Sequence, residues 1–298
     1  MTGTTSIAPA DSLRFLSAPA LLPAYLKILL SRKPRLASGK IPRIEAALSE
    51  FRIDLRKLAR YRAVCGEPAS TQLPIAFPHI VATPLHLAML ASDAFPLNLF
   101  GVVHVRNRIV QRRPLHIEDT GEVHSYIEPD GVTHRGQELR LQTDIRVGGE
   151  TIWSETSTLL CRIAQQSKPS GAPARDVQQT LQENLHTEAF TIPASTGRRY
   201  ARVSGDFNPI HMTDFLARMF GFKRAIAHGM WTLARCAAAI GSSAFAMPCT
   251  LDAAFKLPIS FPAAVVLESW SARAEVGFAL RGSQGARRAH LIGKVSPN

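Results

Sequence analysis

Tyr200-Ala201-Arg202-Val203-Ser204-Gly205-Asp206-Phe207-Asn208-Pro209-Ile210-His211, with His228-Gly229-Met230 following, is the densest run of chemically capable residues in the chain. Gly205 permits a tight backbone turn, and Pro209 stiffens the chain just after Asn208. Asp206 and His211 stand five apart across that turn, close enough to converge on one small molecule. A carboxylate acceptor beside a titratable imidazole suits general acid–base chemistry near neutral pH. Gly229 is placed to open a helix, whose free N–H groups and dipole can stabilise a developing oxyanion. Taken alone, Gly-Asp-x-Asn-Pro is equally an Asx-type turn with a helix cap, and His211 a surface histidine.

Working outward, a strand is expected at Glu188–Ile192 and a helical turn at Thr196–Ser204. A loop-helix follows to about Phe220, then a small-residue helix at Gly229–Ile240. Strand-like segments come next at Leu251–Ile259, Ala263–Arg273, Glu275–Leu280 and Ala286–Val295. The polar stretch Gln165–Pro173, rich in Pro, Ser and Gly, predicts a linker over 164–186. Upstream of it, 74–163 show the same order: a short helix at Leu85–Ser92 after Pro84, then strands at Gly101–Val110, Gly121–Ile127, Glu138–Arg146 and Thr151–Arg162. Pro129-Asp130-Gly131 and Gly148-Gly149 are expected as the hairpin turns. Helix-then-strands occurs twice, which predicts a duplicated α+β module. Residues 1–70 read as a helical extension, with kinked helical pieces in Leu13–Leu30 and an amphipathic helix over Ile44–Tyr61.

Composition sets the outer bounds. With 298 residues, 46% of them hydrophobic and 19% charged, the chain can bury a core and is too apolar to be disordered. Phe15–Leu30 is interrupted by Pro19, Pro23 and Lys27, so no membrane-spanning segment and no signal peptide is expected. Cys65, Cys161, Cys236 and Cys249 have no metal-site spacing, consistent with reduced thiols and a cytoplasmic location. The net charge of +12 comes without a zinc-finger, RRM-like or Walker pattern. Charge alone leaves nucleic acid, anionic lipid and a polyanionic cofactor or carrier open, and a nucleic-acid role, resting on charge only, is set aside.

The constellation as a whole resembles the signature of the MaoC-like, R-specific enoyl-CoA hydratase (hydratase 2) family. The match runs through Tyr200, Ser204, Gly205, Asp206, Asn208, Pro209 and His211, and on through Ile226, His228, Gly229 and Met230. Phe255-Lys256-Leu257-Pro258 resembles the family's core strand beside the acyl chain. The resemblance covers roughly 188–295 and implies a hot-dog fold, an antiparallel sheet wrapped around one helix.

The full chain resembles the two-module 3-hydroxyacyl-thioester dehydratases. That implies a double hot-dog of the α+β class with a helical extension at 1–70. A degenerate hot-dog is expected at 74–163, a linker at 164–186 and a catalytic hot-dog at 187–298.

The family implies Asp206 and His211 as the catalytic dyad and the Gly229 amide as oxyanion donor to a thioester carbonyl. Asn208 is expected to orient the dyad and His228 to brace or close the pocket. Lys223 and Arg224 are the candidate contacts for coenzyme A phosphates or an acidic acyl carrier protein. The hydration chemistry needs no cofactor and no metal, although Asp206, His211 and His228 are ligand types. The alternatives are a hot-dog thioesterase and a non-catalytic acyl-thioester-binding subunit, and a homodimer is possible. Several family members carry a serine nine residues after the His of His-Gly, where this chain has Ala237. His79, His86, His104, His116, His124, His134, His186 and His290 show no ligand spacing and receive no role.

Overall fold

Leu139, Leu141, Thr143 and Ile145 alternate inward with outward-facing neighbours, the period-two signature of a half-buried strand. Strands of this kind are the commonest regular element of the structure, a computed structural model that describes residues 11–31, 33, 41–97, 102–133, 136–161, 183–283 and 288–298. The first half comprises β1 (Asp11–Phe15), α1 (Leu21–Leu30), β2 (Ile44–Phe51), α2 (Leu55–Cys65), α3 (Phe77–Ala91), β3 (Val102–Gln111), β4 (Gly121–Thr133), β5 (Gly136–Val147) and β6 (Glu150–Cys161). The second comprises β7 (Glu183–Ile192), α4 (Thr196–Ser204), α5 (Asp214–Met219), α6 (Gly229–Ile240), β8 (Cys249–Phe255), β9 (Ala263–Ala272), β10 (Glu275–Gly282) and β11 (Ala289–Pro297). Short 3-10 turns lie at Pro209–His211 and Ser242–Phe245.

The strands form one 11-stranded sheet in the order β1-β2-β4-β5-β6-β3-β8-β11-β10-β9-β7. Counted within each half, β2-β4-β5-β6-β3 and β7-β9-β10-β11-β8 are the same arrangement: first strand, third, fourth, fifth, second. The two sets join where β3 pairs antiparallel with β8, from Arg106↔Ala254 to Gln111↔Cys249. Each set wraps one helix, α3 in the first and α6 in the second. Phe77, Ile80, Leu85 and Met89 of α3 share a continuous core with Met230, Leu233, Ala234 and Ala237 of α6. This is the double hot-dog expected from the full chain's resemblance to two-module dehydratases.

Several local expectations are corrected. Ile44–Tyr61 is not one helix: Ile44, Ala46 and Leu48 point inward at period two in β2, which pairs with β4 through Ile44↔Ile127 to Leu48↔Val123. The helix starts only at Leu55, where the Asp54 carboxylate accepts from the Arg56 and Lys57 amides. The first repeat set thus begins at Ile44, upstream of 74. Residues 11–65 are strand-helix-strand-helix rather than a purely helical extension.

Pro129-Asp130-Gly131 is not a turn either. It lies inside β4 at a bulge, with Arg140 of β5 bonded to Glu128 and Asp130, and the strand runs on to Thr133. Gly148 and Gly149 do form the β5–β6 turn, both with positive φ (59° and 84°).

The central helix of the first half extends from Phe77 through Pro84 to Ala91, two turns further upstream than Leu85. Burial of nearly its whole surface outweighs the missing proline amide. Most of the expected linker lies outside the described residues; its last four, 183–186, already belong to β7. Among the described residues no helix is long and apolar enough to cross a membrane, and all four cysteines are free and buried.

Candidate active site

The loop after α4 is built by local rules. Gly205 ends the helix in the left-handed region (φ +80°), its amide bonded to Ala201 O at 2.8 Å. The Asp206 carboxylate accepts from the Asn208 amide at 3.1 Å, an Asx turn. Asn208 Oδ1 in turn accepts from the Ile210 amide at 3.3 Å and caps the 3-10 turn that ends at His211. Asn208 thus holds Asp206 through its backbone and supports His211 through its side chain.

The second half of the motif is tied to the first by backbone. The Ile226 amide donates to Ile210 O at 3.1 Å, and His211 Nδ1 donates to Ile226 O at 2.7 Å. A carbonyl only accepts, so the His211 proton sits on Nδ1 and its Nε2 carries a lone pair. By the same logic His228 Nε2, 3.0 Å from Asp206 O, carries the proton there. The two imidazoles stack with centroids 3.7 Å apart, and Tyr200 packs on His228 at 5.0 Å. His228 also approaches Asp206 Oδ2 at 3.8 Å; its side chain is 2% exposed, whereas Asp206 is 45% exposed and faces the cavity. His228 thus packs against both Asp206 and His211 from the buried side.

Burial works against ionising Asp206, but His228, His211 and the Asn208 amide outweigh it and hold its carboxyl below the usual range. Burial, reinforced by His228, pushes the His211 imidazole below its ordinary value. The resting pair is therefore a carboxylate and a neutral imidazole, both acceptors.

Gly229 is the first residue of α6. Its amide lies in the helix turn that has no intrahelical acceptors. A Cβ at Gly229 would stand 3.2 Å from the Phe255 ring, so glycine keeps this position open.

Asp206, Asn208, His211, His228 and Gly229 line one cavity of about 880 Å³, whose wall comes from both halves of the chain. Phe255, Lys256, Leu257 and Pro258 line it as well. Lys223 and Arg224 are exposed and lie outside that lining, Arg224 being 3.8 Å from Asp214. The exposed Lys256 is the lysine in the lining.

Asp206, His211 and His228 each offer a ligand atom, all within 4.8 Å of one another. With His211 Nδ1 and His228 Nε2 engaged by carbonyls, His211 Nε2 and His228 Nδ1 are the ring nitrogens left to act as ligands.

Sequence reasoning missed Tyr25 and Gly197. The Tyr25 hydroxyl on α1 donates to Gly205 O at 2.7 Å and accepts from the Phe207 amide at 2.8 Å, bracketing Asp206. A Cβ at Gly197 would lie 2.3 Å from His211 O. No motif marks Tyr25, and its partner loop is about 180 residues away.

The MaoC like domain pattern matches residues 176–285. The 3-hydroxyacyl-thioester dehydratase X of Mycobacterium tuberculosis is 31% identical over 226 residues, which are 76% of this chain and 80% of that protein. The chain belongs to the MaoC-like dehydratase family.

The crystal structure of HtdX from the same organism aligns with a TM-score of 0.72 at 26% identity, covering 85% of this chain and 100% of that one. A MaoC-like dehydratase from Phytophthora capsici shares the fold, with a TM-score of 0.69, 17% identity, and coverage of 88% and 98%. Another M. tuberculosis protein, described as a double hotdog, aligns at 0.52 with 11% identity over 88% of this chain and 97% of that one. Ala237, at the family's serine position, is buried in α6 against the shared core.

Proposed function

We propose that this MaoC-like dehydratase interconverts (R)-3-hydroxyacyl and trans-2-enoyl thioesters, with Asp206 and His211 as the acid–base pair and the Gly229 amide as oxyanion donor. The observation that carries it is the pair of acceptors, Asp206 carboxylate and His211 Nε2, facing the same cavity as the N-terminus of α6.

A water between two acceptors donates one hydrogen to each and turns its oxygen lone pair toward C3 of an enoyl thioester. As the C–O bond forms, one acceptor takes a proton and the π electrons move toward the thioester oxygen. The Gly229 amide stabilises that enolate, and the proton is returned to C2. Dehydration runs the same steps backwards: the base removes the C2 proton and, now protonated, delivers it to the departing 3-hydroxyl, which leaves as water. Asn208 and His228 hold the pair in place, and both halves of one chain complete the cavity. For the phosphates of coenzyme A or an acidic carrier protein, Lys256 in the cavity lining is better placed than Lys223 or Arg224.

The test follows enoyl absorbance with crotonyl-CoA, longer 2-enoyl-CoA substrates and carrier-protein thioesters, beside a thiol reagent. Expected is absorbance loss without free thiol, lowered roughly 10²–10⁴-fold by Asp206→Asn and by His211→Gln. Thiol release would assign a thioesterase instead. Silence with every substrate would leave a binding subunit.

A further inference from the structure

The wall opposite the dyad is not the apolar surface that a plain fatty chain calls for. On α3 the cavity-lining residues His79, Thr83, His86, Leu87 and Leu90 fall on one helical stripe, which changes from polar to apolar along its length. Its polar end is the catalytic end: Thr83 Cγ2 would lie 3.6 Å from a Cβ on Gly205, next to Asp206. Facing it from the sheet are His104 of β3 and Ser157 of β6, with Leu141 and Leu159 beyond.

Behind this polar stretch lies a buried network. Glu155 of β6, with its side chain 1% exposed, accepts from His79 Nδ1 at 2.7 Å and from Asn107 Nδ2 at 2.6 Å. Asn107 Nδ2 reaches Ser157 Oγ at 3.1 Å. His86 Nε2 meets Thr143 Oγ1 at 2.8 Å and packs 5.2 Å from His79. Burial opposes protonation of His79, yet Glu155 more than compensates and raises its imidazole. Glu155 itself, despite burial, is held down to about 2, chiefly by His79. The pair is therefore an ion pair set into the cavity wall.

Taking a carboxylate and an imidazolium out of water is costly, and an apolar wall of equal volume is usually no less stable. Such a pair beside a cavity is a functional-site signal. The free valences are specific. With Nδ1 engaged by a carboxylate, the remaining N–H of protonated His79 is Nε2–H. His104 bonds the Arg106 backbone, and its buried Nε2 has no partner. The His104 ring packs on Phe255 at 4.8 Å, and Phe255 in turn borders Gly229. A donor and an unsatisfied acceptor beside one cavity complement a group that both accepts and donates, namely a hydroxyl.

We propose that His79, His104 and Ser157 form a polar subsite for a hydroxyl on the acyl chain beyond C3, so that the favoured substrates are oxygenated acyl thioesters rather than plain ones. The inference rests on the acyl-thioester reading of the same cavity. The product of an upstream hydroxylation or of a second hydration on the same chain is the class of molecule that fits.

Titration calorimetry with dodecanoyl-CoA and a series in which one hydroxyl is walked along that chain beyond C3 tests binding without turnover. The measurements are made on wild-type protein, His79→Gln and Ser157→Ala, with melting temperatures as the folding control. Expected is one hydroxyl position that binds roughly 10- to 100-fold tighter than the plain chain, the worth of a charge-assisted hydrogen bond. That gain, taken relative to dodecanoyl-CoA binding by the same variant, should fall about 10-fold or more in His79→Gln. Equal affinity across the series in wild-type protein overturns the subsite and leaves the dehydratase proposal standing. Absence of binding by every acyl-CoA and by the matching carrier-protein thioesters overturns both. If His79→Gln does not fold, the wild-type series and Ser157→Ala still decide.

Discussion

Replacing Tyr25 by Phe removes one oxygen atom from α1 and with it both bonds that bracket Asp206. The hydroxyl donates to Gly205 O at 2.7 Å and accepts from the Phe207 amide at 2.8 Å. The edge-on contact between the Tyr25 and Phe207 rings, 6.0 Å between centroids, survives the change. So does the packing of Leu21 and Ile28 on Leu87 and Ala91, which seats α1 on α3.

Each neutral bond contributes about 0.5–1.5 kcal/mol net. Phe207 is 40% exposed, so water takes over part of its amide's share. A loss of about 1–2 kcal/mol follows, or a melting point lower by roughly 2–6 °C for a chain of this size. The functional loss should exceed what stability alone explains, because the freed segment carries Asp206. We expect kcat to fall about 10-fold, or 1.4 kcal/mol of barrier, with KM nearly constant. Burial, aided by Asp206, raises the Tyr25 phenol well above its ordinary value, so the hydroxyl remains a donor across the working pH range. The pH profile of the variant should accordingly keep its shape. Stopped assays on enoyl-CoA substrates, paired with calorimetric melts, decide the matter. A lowered melting point with unchanged kcat would refute the link from α1 to Asp206 and leave Tyr25 as an anchor only.

Other outcomes follow from the same geometry. Gly205→Ala puts a side chain at φ +80°, costing about 1–2 kcal/mol, and its Cβ would stand 2.6 Å from Leu21 Cδ1. Its melting point should drop by several degrees, and adding Leu21→Ala should recover part of the loss. Burial pushes His86 to about 3 and His104 to about 4, each neutral when folded. Below their ordinary value near 6.5 the unfolded chain binds protons that the native state refuses. Stability should therefore be full at neutral pH and fall as pH drops from about 6.5 toward 4, a slope that equilibrium melts should show reduced in His86→Gln. Because His211 and Asp206 are both held below their ordinary values, kcat/KM should be flat from about pH 6 to 8. Its acid limb should lie below that of a free histidine, and a limb centred near 6.5 would contradict the assigned resting state.

The Gly205–His211 loop was legible because it is made by short-range rules. The Gly205 cap, the Asp206–Asn208 turn and Pro209 all act within a few residues of one another, and α4 and α6 start and stop where the sequence predicts. The repeated order of helix and strands carried the duplicated α+β module for the same reason, since each hairpin is nearly contiguous in the chain. Elsewhere local pattern was not enough. Ile44, Leu48 and Phe51 satisfy a helical spacing while Ile44, Ala46 and Leu48 satisfy a strand, and only pairing with β4 chose between them. Pro84 looked like a helix start until burial on all sides carried α3 through it. Tyr25 and the Gly205–Phe207 loop, or His79 and Glu155, 76 residues apart, carry no mark of each other in the chain. Sequence by itself thus determined the fold class and the loop that carries Asp206 and His211, through turns and caps whose energies are local. The tertiary structure alone decided which distant groups share the cavity, because pairing charges and hydroxyls out of water depends on which strands and helices the sheet brings face to face.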